Sequence, residues 1–247
     1  MKRLRYLWRA FNYRWRVNRY EIEFLARHVR AGDTVVDVGA HKGGFLYWLR
    51  HHVTATGRVC AFEPQPSLAQ YLREVVAMQG WDNVEVESAG VSSLGGSMEL
   101  FVPGAKGTAS PGASLSPADL DEPHHTLSVP VIALDDYLER RGSPRLAFIK
   151  CDVEGHERAV FQGARRLLER DHPVLLFECE QRHLPGSSPS AVFDDLRALG
   201  YRGYLFHSSG LLPVAEFSVA QHQPVRPGRY WDAKDYFNNF AFVPEER

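Results

Sequence analysis

The chain has 247 residues, 44% of them apolar, and a formal net charge of −1, which suits one globular domain with a sizeable core. No window reaches the roughly 18 uninterrupted apolar residues of a membrane span, and the N-terminus lacks the apolar core of a signal peptide, so a reducing cytoplasm is the expected compartment. Cys60, Cys151 and Cys179 fall at wide spacing in predicted strands and read as small buried residues, giving neither a disulfide framework nor a zinc site.

The near-neutral total conceals an asymmetry. Residues 1–20 hold seven Lys or Arg and no acid, leaving 22 basic against 30 acidic residues, or −8, for the remainder. Leu4, Trp8, Phe11 and Trp15 recur at helical spacing among these basic residues, so 1–20 reads as a basic aromatic amphipathic arm ahead of a domain at 21–247. Such a helix suits contact with an anionic membrane at its inner face, a polyanion or a partner; packing of its aromatic residues on the domain's own core is the competing expectation.

A helix over Tyr20 to Val29 leads into Val35-Val36-Asp37-Val38, an apolar run read as a buried parallel strand. It ends in Gly39-Ala40-His41-Lys42-Gly43-Gly44, a turn whose glycines admit a ligand close to the backbone and leave helix N–H groups free at Phe45. By itself this pattern is equally a bare strand-to-helix turn. The next strand, Arg58 to Phe62, changes the reading, because it ends in Glu63-Pro64, an acid 26 residues after Asp37 and placed where ribose hydroxyls are commonly bound. The turn lacks both the dinucleotide Gly-x-Gly-x-x-Gly and a triphosphate loop, so S-adenosylmethionine, with a ribose and an amino acid but no phosphate, suits it better.

A helix follows from Ser67 to Gln79, then a third strand, Val84 to Glu87, after which Ser88 and Ala89 are placed near an adenine edge. Ser97 to Val102 alternates as a strand, Pro103 to Glu122 is a long Gly, Ala, Ser and Pro segment, and Leu127 to Leu134 resumes a strand. The expectation is an inserted hairpin with its tip over the pocket mouth, or plain surface disorder. A short helix spans Asp135 to Arg141.

The second chemical cluster follows the strand Leu146 to Cys151. Lys150, Asp152, Glu154 and His156 arrive within seven residues at a carboxyl end, where open α/β sheets bind ligands. Strand periodicity sets Lys150 and Asp152 on one face, with an ion pair expected. His156 opens a helix carrying Val160, Ala164 and Leu167, and is either a general base above the sheet or a capping residue. The strand Pro173 to Phe177 ends in Glu178 and Glu180; a helix from Ala191 to Leu199 and strands at Tyr201 to Phe206 and Asn239 to Val243 complete the chain.

At these residues the chain resembles the FkbM family of S-adenosylmethionine-dependent methyltransferases. The likeness runs from about Glu21 to Pro244 and rests on Asp37 to Gly43, Phe62-Glu63-Pro64, Ser114-Leu115, Leu199-Gly200-Tyr201, Phe242-Val243-Pro244 and, above all, Lys150-Cys151-Asp152-Val153-Glu154-Gly155. The resemblance implies a three-layer α/β fold of class I methyltransferase type, with a mostly parallel seven-stranded Rossmann-like sheet and an antiparallel last strand. It also implies O-methylation of sugars, glycans or natural products.

The expected cofactor residues are Asp37, Gly39, Ala40, His41, Gly43, Glu63, Pro64, Ser88, Ala89 and Asp152. The expected catalytic set is His156, Asp152, Glu154, Lys150 and Glu178, one of which takes a hydroxyl proton. A divalent cation on the carboxylates is the variant not favoured, because Lys150 competes with it. A nucleic-acid methyltransferase would use the basic arm, but the acidic body and the missing base-handling motif oppose it; a non-catalytic cofactor-binding module is the other alternative. Oligomeric state is not legible.

Overall fold

The computed structural model describes residues 2–116 and 123–245. In chain order the strands are β1 (Thr34–Val38), β2 (Arg58–Phe62), β3 (Val84–Glu87), β4 (Gly90–Val91), β5 (Gly96–Pro103), β6 (His124–Ile132), β7 (Leu146–Cys151), β8 (Val174–Glu178), β9 (Tyr201–His207), β10 (Gly210–Pro213) and β11 (Asn239–Pro244). The helices are α1 (Lys2–Asn12), α2 (Arg19–His28), α3 (Gly44–Val53), α4 (Pro66–Gln79), α5 (Leu134–Glu139), α6 (Glu157–Gln162), α7 (Arg165–Asp171), α8 (Pro189–Ala198) and α9 (Val219–His222). A π-helical turn over Tyr13–Val17 joins α1 to α2.

The main sheet runs β10-β9-β11-β8-β7-β1-β2-β3. Its central strands β3, β2, β1, β7 and β8 are parallel, and β11 enters antiparallel between β8 and β9. This is the expected seven-stranded sheet with one addition, since β10 folds back on β9 as an eighth edge strand. Every residue of β1 is buried, as a central strand covered on both faces requires. Val36, Ile149, Leu175 and Phe177 face one helical layer, and Val35, Val59, Phe148 and Leu176 the other.

The expected hairpin is present as a separate three-stranded sheet, β4-β6-β5. Its strands β5 and β6 pair over their full length, with Leu100, Val102, Val129 and Val131 forming a small core of their own. The part of the expected loop at 117–122 lies outside the described residues. The helix expected after His156 is two helices instead. Gly163 divides them where the chain passes so close to β4 that an added Cβ would lie 2.1 Å from the Ser92 carbonyl oxygen.

The N-terminal arm is helical, but it docks by a different face from the one its apolar periodicity marks. Tyr6 and Ala10 are fully buried, and the Trp48 indole N–H of α3 donates to the Ala10 carbonyl at 2.8 Å. Tyr13, one helical step further, packs edge-on against Phe45 with ring centroids 5.9 Å apart. Lys2 pairs with Glu74 of α4 at 2.9 Å, and Arg9 donates to the Lys42 carbonyl. Leu4, Trp8 and Trp15 point outward, while Phe11 is partly covered by Trp48. Among the described residues, no helix is long and apolar enough to cross a membrane.

Candidate functional site

A cavity of about 410 Å³ opens at the carboxyl ends of β1, β2, β7 and β8, within the range that small ligands occupy. Asp37, Gly39, Ala40, His41, Glu63 and Pro64 line it from the first two strands. Lys150, Asp152, Glu154 and Glu178 line it from β7 and β8, and Ala89 lies beside β3. Three expected residues do not line it: Gly43, Ser88 and His156.

Gly39 must be glycine. Its φ is +78°, and an added Cβ would lie 1.8 Å from the Asp152 carbonyl oxygen, so the two motifs touch backbone to backbone at the sheet's centre. Gly43, also left-handed at φ 76°, is the N-cap of α3 and turns the chain, with Gly44 and Phe45 beyond it as the lining residues. The Gly43 N–H closes the turn on the Ala40 carbonyl at 2.8 Å. No side chain caps α3, leaving its first N–H groups near the cavity available to a ligand.

The two strand-tip acids are buried and differently employed. Glu63 accepts the backbone N–H of His41 on Oε2 at 2.8 Å and that of Gln65 on Oε1 at 2.9 Å, which fixes its orientation and leaves each oxygen a further lone pair. Burial pushes its pKa up to about 7, against the lowering effect of those two bonds. Asp37 is buried with Oδ2 lacking any hydrogen-bond partner. Its pKa is likewise pushed to about 7 by burial, opposed by nearby Lys150 and reinforced by Asp152. A buried carboxylate oxygen without a donor, at the wall of a cavity, is complementary to a ligand that brings one.

Lys150 is the cation beneath this set. Its side chain is 2% exposed, its Nζ lies 3.3 Å from Asp152 Oδ2, and the ammonium sits 4.8 Å from the Phe45 ring centroid. Burial opposes its charge, but Asp152, Asp37 and Glu178 together hold its pKa above the ordinary lysine value. Glu178 is held well above the carboxylate range, by burial first and then by Asp152 and Glu154. Its neighbour Glu180 goes the other way, to about 2, because Arg182 at 2.5 Å and Asn238 at 3.0 Å stabilise its charge against burial. Of the two, Glu178 is therefore the carboxyl that holds a proton more readily.

Glu154 adopts a left-handed backbone at φ 52°, a strained choice for a side chain with a Cβ. Ser114 Oγ donates to its carbonyl at 2.6 Å, and its Oε2 meets His183 Nε2 at 2.8 Å, off the line of a hydrogen bond. Glu154, Glu180 and His183 bring potential ligand atoms within 4.8 Å of one another. Arg182 already lies against two of them, 2.5 Å from Glu180 and 3.9 Å from Glu154, so a metal cation there would face a guanidinium.

His156 requires a correction. It is the N-cap of α6, but its ring turns away from the cavity, with Nε2 3.0 Å from Ser92 Oγ and Nδ1 3.3 Å from Ser116 Oγ. Burial lowers its pKa. The left-handed Glu154-Gly155 pair ahead of it redirects the chain, so that the helix it opens does not carry its ring over the cavity. The expectation of a base above the sheet therefore has no geometric support.

Other lining residues lie outside the expected site set, although a hairpin over the pocket mouth was expected. Tyr13, Val17 and Asn18 come from the arm, and Leu100 and Leu115 from the inserted hairpin. Tyr13 lies so close over Gly44 that an added Cβ there would be 2.5 Å from the ring. The hairpin is tied over the cavity by Gln65, whose side-chain amide exchanges two 2.9 Å hydrogen bonds with the Ser110 backbone. A glutamine directly after Glu63-Pro64 gave no sequence signal of a long-range tie.

The mostly parallel sheet with β11 inserted antiparallel, the glycine turn and the strand-tip acids define a class I S-adenosylmethionine-dependent methyltransferase fold. The family description "Methyltransferase FkbM domain" matches residues 37–204, and the chain belongs to that family. No curated protein matches it. Among solved structures it is similar to the methyltransferase FkbM from Methylobacillus flagellatus KT, at 18% identity and TM-score 0.55 over 98% of this chain and 55% of that one. It is also similar to a putative methyltransferase from Streptococcus mutans in complex with SAH, at 10% identity and TM-score 0.51 over 90% and 94% of the two chains. The chain thus spans about half of the first protein, and at these identities the likeness speaks for the fold. The family implies S-adenosylmethionine as the cofactor.

Proposed function

We propose that the chain transfers a methyl group from S-adenosylmethionine to a hydroxyl oxygen of a sugar, glycan or natural product, with Glu154 receiving the hydroxyl proton. The observation that carries this reading is the convergence of Asp152, Glu154 and Glu178 on the wall of the cavity that also holds Glu63 and the glycine turn.

The residues present fit the cofactor. Glu63 keeps free lone pairs for ribose hydroxyls, the unpartnered Oδ2 of Asp37 suits a cationic or N–H donor, and the Gly39 to Gly44 turn lets the ligand approach the backbone. When bound, S-adenosylmethionine supplies a methyl group on a cationic sulfur, which an aligned nucleophile displaces in line.

A sugar hydroxyl is a weak nucleophile and gains from a base that takes its proton as the new bond forms. Asp152 is held by Lys150, and burial with its acidic neighbours favours the neutral form of Glu178, which leaves Glu154 as the wall carboxylate suited to accept. His183 meets Oε2, leaving Oε1 for the hydroxyl. Tyr13, Leu100 and Leu115 give the same cavity apolar walls that exclude water from the reacting groups.

A screen of hydroxylated sugars and polyketide-like alcohols, read by S-adenosylhomocysteine release, tests the acceptor class. Turnover with at least one alcohol, and none with matched acceptors whose hydroxyl is replaced by hydrogen, is the expected result. Turnover confined to RNA or to amines would overturn it.

A further inference from the structure

We infer that the outward face of α1 is a docking surface for an anionic lipid bilayer. Leu4, Trp8 and Trp15 are 73%, 68% and 63% exposed, and Phe11 between them is 44% exposed. Their spacing stacks them along one side of the helix, while Tyr6 and Ala10 on the other side anchor α1 to the domain. The anchoring matters because it holds the stripe rigid with most of Leu4, Trp8 and Trp15 facing outward, Phe11 alone packing back on Tyr47 and Trp48. Contiguous exposed aromatic surface of this kind marks a contact with something else.

Charge selects the occupant. Arg3 and Arg5 flank Leu4 by about 100° on either side, and Arg16 follows Trp15; all three are exposed and, among the described residues, make no ion pair. Indole and aliphatic groups between outward arginines match a headgroup interface, where the rings reach the acyl boundary and the guanidinium groups meet lipid phosphates. A second copy of the chain fits poorly, because a symmetric contact would bring the outward Arg3, Arg5 and Arg16 of one arm towards the same three of the other. A nucleic acid would satisfy the arginines but has no use for Leu4 on the same stripe.

Docking would also set the orientation of the cavity. Val17, two residues past Trp15 in the chain, is exposed and lines the cavity, so the stripe ends close in sequence to the cavity mouth.

The test is co-sedimentation of the full chain with vesicles of phosphatidylcholine alone and of phosphatidylcholine with phosphatidylserine, at low and high salt. Calorimetric S-adenosylhomocysteine binding, run in parallel, reports that each protein is folded. The intact chain should sediment with the anionic vesicles at low salt and be released by high salt. Leu4→Glu/Trp8→Glu should abolish the association, and Arg3→Glu/Arg5→Glu should weaken it by at least roughly twentyfold, both with cofactor affinity unchanged. Failure of the intact, ligand-binding chain to sediment with anionic vesicles overturns the inference. So does tight binding of an RNA oligonucleotide, or a dimer lost in Leu4→Glu/Trp8→Glu, where vesicles are ignored.

Discussion

Asp37 and Lys150 stand opposite one another in register across the adjacent parallel strands β1 and β7, and neither side chain reaches solvent. The glycine-turn motif and the Lys-x-Asp motif are therefore one site: the acid of β1 sits beside the cation of β7, and Asp152 completes the group at 3.3 Å from Nζ. A buried lysine among three carboxylates offsets the cost of burying negative charge at the strand tips, beside which a cationic cofactor would enter.

Lys150→Met should consequently lower stability by about 2 to 3 kcal/mol at neutral pH, because it leaves carboxylates buried without a counter-charge. Urea unfolding at neutral pH and near pH 5 checks this. The loss should shrink at the lower pH, where Asp37, pushed to about 7 by burial, is protonated and no longer needs the lysine; an equal loss at both would show that packing alone is responsible.

Cofactor affinity should depend on pH through Asp37 and Glu63, both pushed to about 7 by burial. As pH rises through 7 the two acids ionise, and calorimetric affinity for S-adenosylmethionine should rise with them. Stability should move oppositely. A raised folded-state pKa means that the native state holds its proton more tightly than the unfolded chain, so the contribution is full below about 4 and is lost as pH climbs to about 7. Glu63→Gln should flatten part of the affinity profile.

Removing residues 1–17 should weaken cofactor binding. From sequence the arm reads as separable, whereas in the structure Tyr13 covers Gly44 and lines the cavity with Val17. Truncation also removes the buried Tyr6, worth about 3 kcal/mol or more of packing, so a lower melting temperature should accompany the lost affinity. Unchanged affinity in a folded truncation would show that the arm is only peripheral.

The strands and both acidic strand tips were legible because β-branched runs bounded by Gly and Asp have few other uses; Val35-Val36-Asp37-Val38 and Ile149-Lys150-Cys151-Asp152 declared themselves. The arm misled for a physical reason. Its sequence carries two apolar faces, and the hydropathically stronger one, Leu4 to Trp15, lost to Tyr6, Ala10 and Tyr13 because only that face fits the groove left by Gly43 and Gly44. His156 misled because a helix-opening residue above the sheet has two possible directions, and the left-handed Glu154 and Gly155 turn its ring to Ser92 and Ser116 rather than to the cavity. The two-residue β4 and the edge strand β10 were too short to leave a periodic signature.

His156→Ala should therefore act on stability rather than on chemistry. Loss of its contacts with Ser92 and Ser116 should cost about 1 to 2 kcal/mol, with kcat within about twofold of the intact enzyme. A fall of a hundredfold or more in kcat at unchanged stability would restore it as the base.

Single-turnover methyl transfer by Glu154→Gln, with an acceptor identified by the alcohol screen and with cofactor affinity measured on the same protein, tests the central claim most directly. The amide keeps the shape of the carboxylate and removes its capacity to take a proton, so the rate should fall by roughly 10²- to 10⁴-fold while S-adenosylmethionine affinity stays within about twofold. A variant that binds the cofactor normally and methylates at the intact rate would contradict the assignment of Glu154 as the proton acceptor.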